Sequence, residues 1–170
     1  MLAAAIRPDL VDSLVLLEAD AGSGNPEDAS KLEAYFASWP VPSKDVAEAK
    51  KYLGDSPIAW AWVAAMERRP DGLWPRFDAD IMKSSIRSVM NPRWDAWLSV
   101  QARTLVVYAD NGMFSQEQKT AFLAHRPETL RADLNNASHD AHLDQPGQWI
   151  DVLRRFLHAD TADPLVSSVV

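Results

Sequence analysis

Ser13-Leu14-Val15-Leu16-Leu17 is the stretch whose reading decides the fold. Its four consecutive apolar residues do not alternate with polar ones, so they do not describe a strand with one wet face. They describe a strand covered on both faces, as in a parallel sheet. Leu105-Val106-Val107, within residues 104–108, repeats the pattern. Leu130-Arg131-Ala132-Asp133-Leu134 alternates instead, which predicts a third strand exposed on one face. Between the last two strands, Ser115-Gln116-Glu117-Gln118 fits a capping box and predicts a helix that ends near His125, ahead of Pro127. Strands joined through helices imply parallel pairing with right-handed crossovers. The class is therefore α/β, with about three parallel strands and flanking helices.

Further out, Leu2 to Ile6 reads as the last turns of a helix, with a turn at Pro8 and Asp9. Glu18, Asp20, Gly22 and Gly24 mark a loop at the carboxyl end of the first strand. Residues 26–100 change character and read as five helices: 26–39, 43–52, one opened by Ser56 and Pro57, 78–90, and one opened by Pro92; residues 72–77 read as a loop. A final helix carries Ile150, Leu153, Phe156 and Leu157 on one face, with Asp144 as its expected cap, and the tail from Ala159 reads as frayed. Three strands make a poor free-standing sheet, because one edge would expose a strand that reads as fully buried. This predicts missing sequence before Met1, and an isolated chain that self-associates or aggregates.

Composition narrows the function classes. The chain has 170 residues, 47% of them hydrophobic, which is enough to bury a core. Its net charge of -7, with no basic run, argues against nucleic acid as a partner. No apolar run approaches the roughly 20 residues needed to span a bilayer, so no membrane association is expected. The apolar start, Met1 to Ile6, is stopped by Arg7 and Pro8 and does not read as a signal peptide. With no cysteine, disulfides, thiolate metal sites and a cysteine nucleophile are excluded. A cytoplasmic location is the expectation.

In open parallel sheets, ligands bind beyond the carboxyl ends of the strands. Those ends carry Glu18 and Asp20, then Asp110, Asn111 and Gly112, then His139, Asp140 and His142. A histidine oriented by a carboxylate is the base of a nucleophilic-catalysis triad. The spacing of His139, Asp140, His142 and Asp144 also invites a zinc reading, but no further ligand cluster accompanies it.

Three segments resemble α/β-hydrolases. Residues 7–17, with Arg7-Pro8-Asp9-Leu10-Val11 leading into the first strand, look like the segment that follows the nucleophile elbow and enters the sixth strand. Residues 104–110 are similar to the seventh strand and the loop behind it. Ala137-Ser138-His139-Asp140-Ala141-His142-Leu143-Asp144-Gln145-Pro146 resembles the family's histidine loop, in which the first histidine is catalytic. The resemblance implies a partial α/β-hydrolase fold: core segments at 1–20 and 101–158, a helical cap at 21–100 between strands six and seven, and a tail at 159–170. It implies hydrolysis of a small apolar ester-like substrate through a nucleophile–histidine–acid triad, with no metal or organic cofactor.

Within that resemblance His139 is the base. The acid of many relatives falls near the position of Gly112, which makes Asp110 the nearest carboxylate; an acid after the sixth strand would instead be Asp20 or Glu18. The family's Gly-x-Ser-x-Gly nucleophile turn does not occur in these residues. The chain is thus expected to be a truncated hydrolase, inactive alone. Alternatives are half of a split enzyme completed by an N-terminal partner, and a non-catalytic binding module. Trp60, Trp62, Trp74, Trp94 and Trp97 are the candidate aromatic wall of a substrate pocket.

Overall fold

The computed structural model describes residues 1–22 and 26–158. The expected tail at 159–170 lies outside the described residues. The chain divides into two compact units: Met1–Gly22 with Arg93–Val170, and Ser23–Pro92. In chain order, α1 (Leu2–Ile6) and β1 (Ser13–Leu17) belong to the first unit. The second unit holds α2 (Pro26–Ala37), α3 (Val46–Leu53), α4 (Pro57–Ala65), β2 (Glu67–Arg69), β3 (Gly72–Trp74) and α5 (Ala79–Val89). The chain then returns to the first unit with α6 (Trp94–Ser99), β4 (Arg103–Ala109), α7 (Gln116–Ala124), β5 (Leu130–Leu134), α8 (Ala141–Asp144) and α9 (Pro146–His158).

In the first unit the sheet runs β1-β4-β5, with both pairs parallel. The registers place Leu17 opposite Val107 and Ala109 opposite Leu134. β4 explains why its sequence is apolar without a break. Val106 and Tyr108 join one core with Trp97 and Phe122, while Leu105, Val107 and Ala109 join a second core with Ala132, Leu134 and Phe156. Successive residues of a strand point to opposite faces, so a strand between two cores needs an apolar residue at every position. Each fully buried Leu, Val or Phe in such a core contributes about 1.5–3 kcal/mol. β5 alternates as its sequence requires: Ala132 and Leu134 are buried and Asp133 is exposed.

β1 is less buried than its sequence suggests, because among the described residues it pairs with β4 alone. Val15 and Leu17 pack only partly against the second core, and Leu14 and Leu16 only partly against the first. The Glu18 N–H donates to Val107 O and the Arg103 N–H to Asp12 O. Strand parity therefore turns the backbone N–H and C=O groups of Ser13, Val15 and Leu17 away from β4. The capping box of α7 forms in full, with Ser115 and Gln118 satisfying each other's backbone N–H.

The helical unit departs from its sequence reading in two places. The second helix starts at Val46 with Asp45 as its cap, not at Ser43. Ser43 is buried and instead pairs its backbone with Leu73. Residues 67–74 form an antiparallel hairpin, β2-β3, where a loop was expected. Only three residues a side are too few to show a period of two in the sequence. Gly72 at φ 143 permits the turn, and a side chain there would strike the Ser43 backbone. α2 and α5 pack together through a bidentate Arg87–Glu33 pair at 2.7 and 3.2 Å. Between the helices, Tyr35, Phe36, Trp39, Trp62 and Phe77 form a continuous cluster of ring contacts.

Candidate active site

At the carboxyl end of β1 the backbone makes a turn that few side chains allow. Glu18 sits at φ 43, the left-handed region, where a non-glycine residue carries roughly 1–3 kcal/mol of strain. Hydrogen bonds at the side chain hold it there. One carboxylate oxygen accepts the Ala109 N–H at 2.7 Å and the other the Met113 N–H at 2.8 Å. The Glu18 side chain is fully buried.

The same carboxylate faces His139. Glu18 Oε2 lies 3.7 Å from His139 Nδ1, an ion-pair contact too long for a formed hydrogen bond. Glu18 pushes the His139 imidazole up from its ordinary value against the opposing pull of partial burial, and Asp140 adds to the rise. For Glu18, burial alone would raise the carboxyl. His139, the Ala109 and Met113 amides, and the nearby Lys119 ammonium outweigh burial and hold it below its ordinary value. An Nδ1–H turned toward the carboxylate leaves Nε2 as the basic nitrogen. His139 is half exposed, so that nitrogen belongs to an accessible ring.

Gly112 makes the arrangement possible. A side-chain carbon at that position would fall under 3.0 Å from both carboxylate oxygens and the Cδ of Glu18. The Glu18 carboxylate, reaching across from β1, thus fills the space that a side chain at 112 would take. Lys119 supports the same strand end from α7. Buried, it donates to the Ala109 carbonyl at 2.7 Å and lies 5.1 Å from the Tyr108 ring. Burial also pushes the Tyr108 hydroxyl far up, so it stays protonated.

The other sequence candidates are placed differently. The Asp110 carboxylate accepts the backbone N–H groups of Asn111, Asn136 and Ala137 at 2.8–2.9 Å. It therefore ties the end of β4 to the loop leading into His139, and the Ala137 amide leads in holding its carboxyl below the ordinary value. Asp20 accepts the Gly22 N–H at 2.6 Å within its own loop. Of the three carboxylates considered for His139, the one beside it is Glu18. Asp144 does not cap the last helix as expected; it accepts the Ser138 N–H and hydroxyl and so braces the histidine loop.

The five tryptophans separate. Trp60, Trp62 and Trp74 belong to the helical unit, and Trp94 and Trp97 to the sheet unit. Trp97 is a core residue rather than a pocket wall. It is fully buried, stacks on Phe122 at 4.2 Å and donates its indole N–H to the Phe122 carbonyl at 3.0 Å. Trp94 packs on Phe122 and His125. Trp60 is half exposed, with its N–H on Asp55, and Trp74 donates to Asp71. Lys119 has no sequence signal, because it looks like any polar helix position. Gly112 appeared only as the place of an absent acid. Among the described residues no cluster of three or more His, Asp or Glu groups has metal-binding geometry, and no helix is long and apolar enough to cross a membrane.

A parallel β1-β4-β5 sheet, with α7 between β4 and β5 and a histidine loop after β5, is part of the α/β-hydrolase fold. No family model and no curated protein matches the chain. Solved structures do, over most of its length. An E-2-(acetamidomethylene)succinate hydrolase is 20% identical, with a TM-score of 0.82 over 92% of this chain and 61% of that one. A marine microorganism esterase is 16% identical, with a TM-score of 0.70 over 90% and 63%. An esterase of M. tuberculosis is 17% identical, with a TM-score of 0.63 over 92% and 57%. At these identities the likeness is one of fold, and the chain spans about three-fifths of those hydrolases' length.

Proposed function

We propose that these residues supply the acid and the base of an α/β-hydrolase, with His139 as general base and Glu18 as the carboxylate that orients it. One observation carries this reading: the strained, amide-clamped Glu18 carboxylate, seated where a side chain at 112 would be, faces His139. Of the expected acids, Asp110, Asp20 and Glu18, this reading assigns the role to Glu18. The nucleophile and its oxyanion hole come from sequence outside these 170 residues. The nucleophile adds to the carbonyl carbon of a small apolar ester, and Nε2 of His139 takes its proton. Glu18 stabilises the resulting imidazolium. The alcohol then leaves with that proton, and Nε2 activates the water that cleaves the acyl-enzyme. The helical unit serves as the cap of that enzyme, and no metal or organic cofactor enters the reaction.

The test is hydrolysis of p-nitrophenyl acetate by the chain alone and by the chain joined to its upstream coding sequence. The chain alone gives no enzyme-like turnover. In the extended protein, His139→Ala and Glu18→Gln each lower kcat by about 10³–10⁴-fold, while Asp110→Asn keeps most of it. Enzyme-like turnover by the chain alone would place a nucleophile inside these residues. Full activity of the extended Glu18→Gln variant would remove Glu18 from the mechanism.

A further inference from the structure

α7 carries a lysine where its own helix gives a cation no support. Lys119 lies near the start of α7, the end at which the helix dipole favours an anion, and it is buried. Its ammonium donates to the Ala109 carbonyl at 2.7 Å and lies 5.1 Å from the Tyr108 ring. A buried ammonium is costly unless charge and hydrogen bonds compensate it, and an apolar residue would fill the same place without that cost. The compensation lies at the end of β4. Ala109 accepts from Lys119 with its carbonyl and donates to the Glu18 carboxylate with its N–H, at 2.7 Å each. One residue thus joins a buried cation to a buried anion, and the two charges attract.

The groups around Glu18 come from every element packed on it. The histidine loop brings His139, α7 brings Lys119, and β4 brings Tyr108, whose hydroxyl stays protonated. Asp20 follows Glu18 on its own loop. Arg131 lies 5.5 Å from the Tyr108 ring but is held by Asp133 at 2.7 Å. Of the two cations that act on Glu18, His139 is one only while it is protonated. A general base starts each cycle neutral, and a neutral imidazole offers the carboxylate no charge. Burial then favours the uncharged acid. A Glu18 that took up a proton could not stabilise the imidazolium formed on proton transfer. The Lys119 ammonium does not depend on the state of the imidazole.

We infer that Lys119 is a positioning residue that acts through Glu18: it is the fixed counter-charge that keeps this carboxylate ionised while His139 is neutral. The inference rests on the acid and base roles given above to Glu18 and His139.

Carboxyl-carbon NMR titration of Glu18 in the purified chain tests it, with His139→Ala standing for the uncharged imidazole. The Glu18 signal is the one that Glu18→Gln removes. Adding Lys119→Met to His139→Ala should raise the Glu18 titration by at least about half a pH unit. Lys119→Gln should raise it as much, because glutamine keeps an N–H donor for Ala109 and loses only the charge. Lys119→Arg, which keeps the charge, should leave it in place. Circular dichroism checks that each variant keeps its helices; where the Met variant does not fold, the Gln variant decides alone. A Glu18 titration that neither neutral substitution moves, or that Gln leaves at the His139→Ala position, would overturn the assignment, since the donor and not the charge would then be what Lys119 supplies. Failure of the acid–base reading shows separately. A His139 titration indifferent to Glu18→Gln would dissolve that pair whatever the Lys119 variants do.

Discussion

Replacing Gly112 with alanine should destabilise the protein, and should stop doing so once Glu18 is gone. The three heavy atoms nearest a Cβ at position 112 all belong to the Glu18 carboxyl, each under 3.0 Å away. Real Cβ atoms do not sit that close, so the carboxyl must leave its place or the loop must shift. Leaving breaks two charge-assisted bonds from backbone amides, at 2.7 and 2.8 Å. Such bonds contribute about 1.5–3 kcal/mol each, which sets a ceiling of about 6 kcal/mol. Partial relaxation brings the expected cost of Gly112→Ala to about 3 kcal/mol. Gly112 has no left-handed φ, so alanine is not excluded by its backbone. In a Glu18→Ala background the obstruction disappears. Gly112→Ala should then be neutral, or stabilising by about 0.4–1 kcal/mol through the stiffer unfolded chain. Urea unfolding of the parent, the two single variants and the double variant measures the difference, with an expected coupling of about 3–4 kcal/mol. A coupling below about 0.5 kcal/mol would refute the claim that Glu18 occupies the space of a side chain at 112.

The remaining predictions concern the carboxylates around His139. Glu18→Gln should bring the His139 imidazole down toward its ordinary value, read from its ring proton by NMR titration, whereas Asp110→Asn should leave it raised; the reverse result would reassign the acid. The same shifts set a pH signature. The His139 contribution to stability is complete below its ordinary 6.5 and fades as pH rises through the raised folded value. The Glu18 contribution is complete above its ordinary 4.5 and is lost as pH falls through the lowered folded value. Both are complete between those two ordinary values, and the stability gap between parent and Glu18→Gln should be largest there. Asp110→Ala should speed hydrogen exchange at the Asn136 and Ala137 amides, which it clamps, and exchange unchanged from the parent would argue against that clamp.

Much of the framework was legible in the sequence because it rests on local chemistry. An unbroken apolar run is what a strand between two cores requires, so β4 could be read from Leu105-Val106-Val107. The alternation of β5 and the capping box of α7 encode themselves within a few residues. The histidine loop could likewise be picked out, because its residues are contiguous. The β2-β3 hairpin and the start of α3 were not legible. Both depend on Ser43 pairing with Leu73, thirty positions away, and no local pattern reports that pairing.

The site divides along the same line. The sequence by itself determined which carboxylates lie at the strand ends, since that follows from where each apolar run stops. It did not rank Glu18 against Asp20 or Asp110, because all three are acids in polar loops. Tertiary structure brings one of them, Glu18, beside the imidazole. The left-handed turn at Glu18 sends its side chain across to β4, and two amides 91 and 95 residues later hold it. Gly112 clears the space, while Asp110 is already engaged by the amides of the histidine loop. A carboxylate's role follows from which donors and which imidazole its position in space brings within reach, and that distance is not written in the residues on either side of it.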